Sequence, residues 1–330
     1  MERQMNYLQA LRDALVTEMR LDPRVVVLGE DVRHSLRGIR RGCFEEFGPE
    51  RVWDTPISES AFVGLATGAA LAGLRPVVEL QIGTLLYVAM EQMANQAQKL
   101  RYMMGGQGRI PVTYLLPGSG ARPGLAGQHS DHAYPMLIQC GLKVAIPSTP
   151  ADAKGIFTAA MREDDPVVLF APSACLFAKG PVEEGEYVVP LGKGDIKRAG
   201  TDITVIAVGP LVAQALKVAE AVEKDGISAE VLDPRTLLPL DRDLIEASVR
   251  KTGRLVIFDD SNRMCGFAAE LAAFAGESLF AALKSPVVRV ARADVPVPFS
   301  IALDQQVLAR PDQLESVIRG ILGDSAAVRN

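Results

Sequence analysis

Asp54-Thr55-Pro56-Ile57-Ser58-Glu59-Ser60-Ala61, continuing as a Gly- and Ala-rich run to Leu74 and then into Arg75-Pro76-Val77-Val78-Glu79-Leu80-Gln81-Ile82, reads as an extended entry, a helix and a strand. Pro56 fixes the entry, because its ring locks the backbone dihedral. Gly64, Ala66, Gly68, Ala69, Ala70, Ala72 and Gly73 leave the helix backbone open to close approach by another helix or a ligand. The β-branched run from Arg75 to Ile82 completes a strand. The same alternation recurs on both sides. Tyr7 to Met19 is helical, and Val25 to Leu28 is an apolar strand closed by the turn Gly29-Glu30-Asp31. A long helix ends at Gly105-Gly106, and strands follow at Ile110 to Leu116 and Leu142 to Ile146. A helix from Pro150 leads to the run Val167 to Phe170. Strands alternating with helices predict an α/β chain with a largely parallel sheet and crossover helices.

The pattern breaks between Ala178 and Thr201, where Gly180, Pro181, Gly185, Pro190, Gly192, Gly194 and Gly200 cluster. This predicts a first domain over 1–180, a linker over 181–200 and a second domain over 201–330. The second carries strands at Ile203 to Val208, Ala229 to Leu232, Leu255 to Phe258 and Val287 to Val290. Its helices fall near Val212 to Lys224, Leu240 to Lys251 and Gly266 to Leu283. Two cores suit a chain of 330 residues.

Composition excludes several classes of function. With 48% hydrophobic and 23% charged residues the chain is globular, and the 5% aromatic share favours helices lying on sheets. Net charge is −5 with Lys and Arg scattered, so no basic face is offered to nucleic acid. The longest apolar stretch, Ala61 to Leu74, falls short of the roughly 20 residues that span a bilayer. No apolar signal core follows Met1, and Cys43, Cys140, Cys175 and Cys265 lack metal-ligand spacing, so the expectation is a cytoplasmic protein with free thiols.

Two segments can carry chemistry. Glu59 enters the small-residue helix. A carboxylate there either complements the helix dipole or, poorly solvated beside an apolar element, exchanges a proton near neutral pH; position alone does not choose. The second segment is the glycine-rich loop Pro117 to His132, shaped to surround a ligand. Its Gly118-Ser119-Gly120 lacks the helix and downstream acid of a dinucleotide site. His129 is either a solvated loop histidine or a proton donor and acceptor. His129, Asp131 and His132 do not have the spacing of a metal cluster. Glu91, Gln92, Asn95 and Gln98 are expected to form a polar face at a subunit contact. Asp259-Asp260 reads as a solvated strand end.

Taken in order, Leu28-Gly29-Glu30-Asp31-Val32, Asp54 to Glu59 with Ala61-Phe62-Val63-Gly64, and Asn95-Gln96-Ala97 with Lys99-Leu100-Arg101-Tyr102 form a recognisable series. It continues through Gln128-His129-Ser130, Pro147 to Lys154, Asp233-Pro234-Arg235-Thr236-Leu237 and Asp294-Val295-Pro296-Val297-Pro298. Through these the chain resembles, nearly end to end, the beta subunits of the thiamine diphosphate-dependent decarboxylating component of 2-oxo acid dehydrogenase complexes and of acetoin dehydrogenases. The resemblance implies a transketolase-like pyrimidine-binding domain followed by a transketolase C-terminal-like domain. It implies that Glu59 hydrogen-bonds a pyrimidine nitrogen of the cofactor and so promotes removal of the thiazolium proton. The activated cofactor then attacks a 2-oxo acid and releases carbon dioxide. His129 would handle a later proton or pass the acyl group to lipoate. Ile57, Leu85 and Tyr87 would lie beside the cofactor, and Asp131 and His132 near the substrate. A potassium ion would rest on the main-chain carbonyls of Val112, Ala160, Met161, Glu163 and Asp165.

Thiamine enzymes hold magnesium and diphosphate on Gly-Asp-Gly, which this chain lacks; its nearest string is Gly194-Asp195-Ile196. The resemblance therefore implies an alpha subunit carrying magnesium and diphosphate, an α2β2 assembly, and a lipoyl acyltransferase core as acceptor. Relatives have an acidic residue and an aromatic where Thr84-Leu85 stand, uncharged residues where Asp131-His132 stand, and a different loop around Arg122-Pro123. These departures keep open an acyloin-forming carboligase, and a different class altogether, a nucleotide-binding or assembly subunit.

Overall fold

The computed structural model describes residues 2–35, 38–121 and 124–327, with side chains through 323. The chain splits into two compact units. One comprises Met1–Arg122, Gln128–Leu191 and Thr236–Pro239; the other comprises Pro123–Gly127, Gly192–Arg235 and Leu240–Asn330. Arg122 and Pro123, where the glycine loop departs from its relatives, lie outside the described residues.

The strands of the first unit are β1 (Glu2–Asn6), β2 (Val25–Gly29), β3 (Val52–Asp54), β4 (Arg75–Glu79), β5 (Thr113–Ser119), β6 (Lys143–Ala145), β7 (Val167–Pro172) and β8 (Lys179–Glu183). In the second unit lie β9 (Asp195–Arg198), β10 (Ile203–Ala207) and β11 (Ala229–Asp233). Next in the chain, β12 (Thr236–Leu238) returns to the first unit, before β13 (Leu255–Asn262) and β14 (Val288–Arg292) of the second.

The main sheet of the first unit runs β12-β6-β7-β5-β4-β2-β3, parallel except for β12, which pairs antiparallel with β6. From β2 the chain steps to β3 on one side and then returns to β4 on the other. The connections thus diverge between β2 and β4. At such a point the carboxyl ends of the strands leave a crevice, the usual ligand site of an open α/β sheet. Gly29 of β2 is in register with Glu79 of β4, so both strands end at that crevice.

Every residue of β2 and β5 is buried. Strands covered on both faces read as apolar runs instead of alternations, which is why they were legible. The helices Tyr7–Leu21 and Pro150–Arg162 bury Leu11, Leu15, Met19, Ile156 and Phe157 against Val25, Val27 and Leu169. Each such side chain contributes about 1.5–3 kcal/mol. Asn6 and Gln9 close a capping box on the first helix, and Thr149 caps the second with Pro150 in its first turn.

Several elements differ from expectation. The long helix before Gly105-Gly106 is a 3-10 turn (Gly83–Leu85), an α segment (Leu86–Glu91), a π segment (Gln92–Ala97) and a second α segment (Gln98–Met103). The Glu91 carboxylate accepts both the Gln92 and the Gln96 amide, and the second of these spans the five residues of a π turn. Strand β4 stops at Glu79 instead of reaching Ile82. β1 and β8 pair antiparallel as a polar ribbon that no apolar pattern announces. The end of β8 and all of β9 occupy residues expected as linker.

The second unit's sheet runs β14-β13-β10-β11-β9, with β9 antiparallel to β11. Its core gathers Val205, Val231, Val256 and Phe258 against Leu211, Val212 and Val218. Asp259 is not a solvated strand end. It is fully buried and accepts from the Ser261 hydroxyl and from the backbone N–H of Ala268, satisfying a donor in the first turn of the helix Phe267–Ser278.

Candidate active site

The turn after β2 is pressed onto β4. Gly29 has φ +148°, and a Cβ there would lie 2.5 Å from the Glu79 carbonyl oxygen, so only glycine fits. The Gln81 amide donates to the Glu30 carbonyl at 2.8 Å. Thus fixed, the Glu30 carboxyl lies close enough to Glu59 for the two charges to act on each other. Burial, then the charges of Glu59 and Asp31, hold the Glu30 carboxyl above the usual carboxylate range.

Glu59 itself is 6% exposed and is the first residue of the helix Glu59–Leu71, behind Ser58 at the N-cap. The structure thus places an acid at the positive end of a helix and withdraws its carboxyl from water. Glu30 enters the sequence reading in the strand-closing turn and in the family series, with no role assigned to it. The signal that could have found it is its position at the carboxyl end of an apolar strand.

Hydrogen bonds join three segments around this pair. The Ser60 hydroxyl donates to the Val88 carbonyl at 2.6 Å. A Cβ on Gly64 would stand 2.9 Å from the Gln92 amide oxygen, so the small-residue helix is tightly packed by the π segment. From the next turn back, the Thr84 hydroxyl donates to the Gln128 carbonyl at 2.5 Å, and the Tyr87 hydroxyl donates to Asp131 Oδ2 at 3.2 Å. Residues 59–64, 84–92 and 128–131 thereby form one site, with Leu85 half-buried between its bonded neighbours. His129 is half-buried, and its Nδ1 lies 2.9 Å from the Gln128 carbonyl oxygen. With the proton assigned to Nδ1, that contact is a donated bond and Nε2 is left as the proton acceptor. Ile57 is 83% exposed.

His132 stands apart from this group. It is 5% exposed, its ring centroid lies 5.5 Å from that of Tyr134 and 6.4 Å from that of Phe170, and a Cβ on Gly120 would strike its Nε2. Packing accounts for its place.

Among the described residues no group of three or more His, Cys, Asp or Glu side chains could hold a metal ion. Of the carbonyls tied to potassium, those of Ala160, Met161 and Glu163 lie at the end of the helix Pro150–Arg162, where the dipole favours a cation. In this structure the guanidinium of Arg75 donates to the Met161 and Glu163 carbonyls, and the Thr113 hydroxyl donates to that of Ala160. The Val112 carbonyl accepts from Val167 N. Arg75 already supplies a cation to that helix end, and potassium is assigned no step below. The four cysteines are free thiols, and no described helix is long and apolar enough to cross a membrane.

Residues 3–176 match the family Transketolase, pyrimidine binding domain, and residues 192–314 match Transketolase, C-terminal domain. The chain is 41% identical to the acetoin:2,6-dichlorophenolindophenol oxidoreductase subunit beta of Bacillus subtilis (strain 168), covering 99% of each. It is 42% identical to the pyruvate dehydrogenase E1 component subunit beta of the same organism, over 95% of this chain and 97% of that one. Its identity to the 2-oxoisovalerate dehydrogenase subunit beta is 39%, over 96% and 98%. Among solved structures, a split gene transketolase described as an inactive beta4 tetramer shares the fold, with TM-score 0.76 and 24% identity over 94% of this chain and 96% of that one.

Proposed function

We propose, since this chain belongs to the transketolase-like family of 2-oxo acid and acetoin dehydrogenase beta subunits, that it is the subunit that activates the aminopyrimidine ring of thiamine diphosphate. One observation carries the proposal: the Glu59 carboxyl, withdrawn from water at a helix start and beside the charge of Glu30. When bound, the cofactor supplies a nucleophilic ring carbon and a sink for an electron pair. Everything else asked of this chain is orientation and proton traffic.

Glu59 holds a proton against a pyrimidine ring nitrogen. Beside it Glu30, whose proton affinity is raised by burial and then by the charges of Glu59 and Asp31, holds its own proton to a higher pH than an ordinary carboxyl would. Ile57, Leu85 and Tyr87 line the ring, and His129 moves a proton at the substrate oxygen after the first bond is broken.

Diphosphate and magnesium belong to an alpha subunit in an α2β2 assembly, for this chain has no Gly-Asp-Gly and no described metal cluster. The apolar side chains of Ile57, Leu65, Leu71 and Val88 lie exposed on the elements around the site, which suits a surface another chain covers. The reaction is a cytoplasmic oxidative transfer of an acyl or aldehyde group to lipoate on an acyltransferase core.

The test is turnover by the reconstituted pair, followed once with an artificial electron acceptor and once for acyloin products. A pair active only in the second assay is a carboligase. Glu59→Gln is expected to lower either activity at least a hundredfold; activity within twofold of wild type would remove Glu59 from the mechanism.

A further inference from the structure

The loop that carries His129 presents a second ionisable group to the same site, Asp131, whose Oδ2 accepts from the Tyr87 hydroxyl at 3.2 Å. Tyr87 adjoins Val88, whose carbonyl takes the hydroxyl of Ser60, the residue after Glu59. Asp131 and the residue after Glu59 are thus tied to adjacent residues of one helix.

The charge around it is one-sided. Segments 54–74, 79–92 and 128–142 contain no Lys or Arg, and they carry Asp54, Glu59, Glu79, Glu91 and Asp131. Two of these acids are neutralised from outside the segments: the Arg40 guanidinium pairs with Glu79 in full burial, and that of Arg33, over the Phe44 ring at 4.6 Å, lies 3.9 Å from Asp54 Oδ2. An anionic substrate here meets the carboxylates of Glu59, Glu91 and Asp131, with the imidazoles of His129 and His132 as the basic side chains on these three segments.

Resting on the reading of this chain as a thiamine enzyme subunit, we propose that Asp131, anchored by Tyr87, selects neutral α-hydroxyketones over 2-oxo acid anions by taking the proton of the ketol's carbinol hydroxyl. The two substrate classes differ in this need. A 2-oxo acid loses its carboxylate as carbon dioxide; the C–C electron pair passes to the cofactor ring, and no proton has to be removed. A ketol breaks its C–C bond the same way, but the departing carbon becomes an aldehyde only as its O–H bond breaks. The O–H electron pair then forms the new C=O bond, the C–C pair passes to the ring, and the proton goes to the Asp131 carboxylate. Tyr87 holds one oxygen of that carboxylate and so fixes the direction of the other.

The experiment uses the complete complex with its alpha-type partner, loaded with thiamine diphosphate and magnesium. kcat and KM are measured for acetoin and for pyruvate in wild type, Asp131→Asn, Asp131→Ser and Tyr87→Phe. Affinities for the same two compounds are measured calorimetrically on complexes holding an unreactive thiamine analogue. Wild type is expected to favour acetoin at least tenfold in kcat/KM and to bind it more tightly. Asp131→Asn and Asp131→Ser are expected to lose at least tenfold in kcat for acetoin while gaining affinity for pyruvate, and Tyr87→Phe to shift both in the same direction by less. Preference of wild type for pyruvate, or acetoin-to-pyruvate ratios in the Asp131 variants within twofold of wild type with cofactor binding intact, overturns the proposal and leaves the thiamine reading standing. Absence of turnover and of binding for both compounds overturns the two together.

Discussion

Glu59 and Glu30 face each other because two different local rules bring them there. The first comes from a helix start, which welcomes a carboxylate. The second comes from a strand end that only glycine allows to turn so tightly against β4. Burial first, and then the charges of Glu59 and Asp31, raise the proton affinity of Glu30, and this has a measurable sign. A carboxyl whose pKa is higher folded than unfolded stabilises the fold fully below its unfolded pKa, and that contribution is lost as pH rises through the folded pKa. Glu30→Gln is therefore expected to raise the melting temperature at neutral pH, with the gain shrinking as pH falls toward the ordinary glutamate range, while it impairs turnover. Thermal scans of both proteins across pH check this. At Glu59 the expected outcome is chemical: Glu59→Gln abolishes hydrogen–deuterium exchange at the thiazolium carbon of bound cofactor, read by NMR after acid quench, with assembly unchanged. Exchange near the wild-type rate would mean that some other group activates the ring.

The elements around the site show what a sequence does and does not disclose. β2, β4 and the small-residue helix were legible because buried strands read as apolar runs and a close-packed helix reads as Gly and Ala. The π segment was not, because its cause is a side-chain bridge from Glu91 to Gln96 that leaves the helical periodicity of the residues unaltered. β1 and β8 escaped notice because a polar two-stranded ribbon has no buried face to pattern it. β12 escaped because three residues that follow the second unit's β11 pair with a strand some ninety positions earlier. The glycines separate in the same way. At Gly29 a Cβ meets backbone, so Gly29→Ala is expected to cost about 3 kcal/mol. At Gly68 nothing lies within 4 Å, so Gly68→Ala is expected to be neutral or to stabilise by up to about 1 kcal/mol. Equilibrium denaturation of the two variants tests the contrast, and equal effects would mean that the close approach at Gly29 is not real.

At the scale of the molecule, the ordered residues that resemble the beta subunits, from Leu28-Gly29-Glu30-Asp31 to Asp294-Val295-Pro296, were enough to name the family, and the full-length matches agree. They were not enough to give the substrate, since that depends on side-chain contacts such as Tyr87 to Asp131 that no spacing reveals. Each unit has its own core; in the proposed function Glu59 of the first meets the pyrimidine end of the cofactor, and the diphosphate end, with no Gly-Asp-Gly in this chain, falls to the partner subunit. Half a site should bind weakly alone. The most direct measurement is a calorimetric titration of thiamine diphosphate with magnesium into this chain by itself and into the chain paired with an alpha subunit that bears Gly-Asp-Gly. The account predicts no saturable heat from the chain alone and tight, magnesium-dependent binding by the pair; tight magnesium-dependent binding by the isolated chain would contradict it.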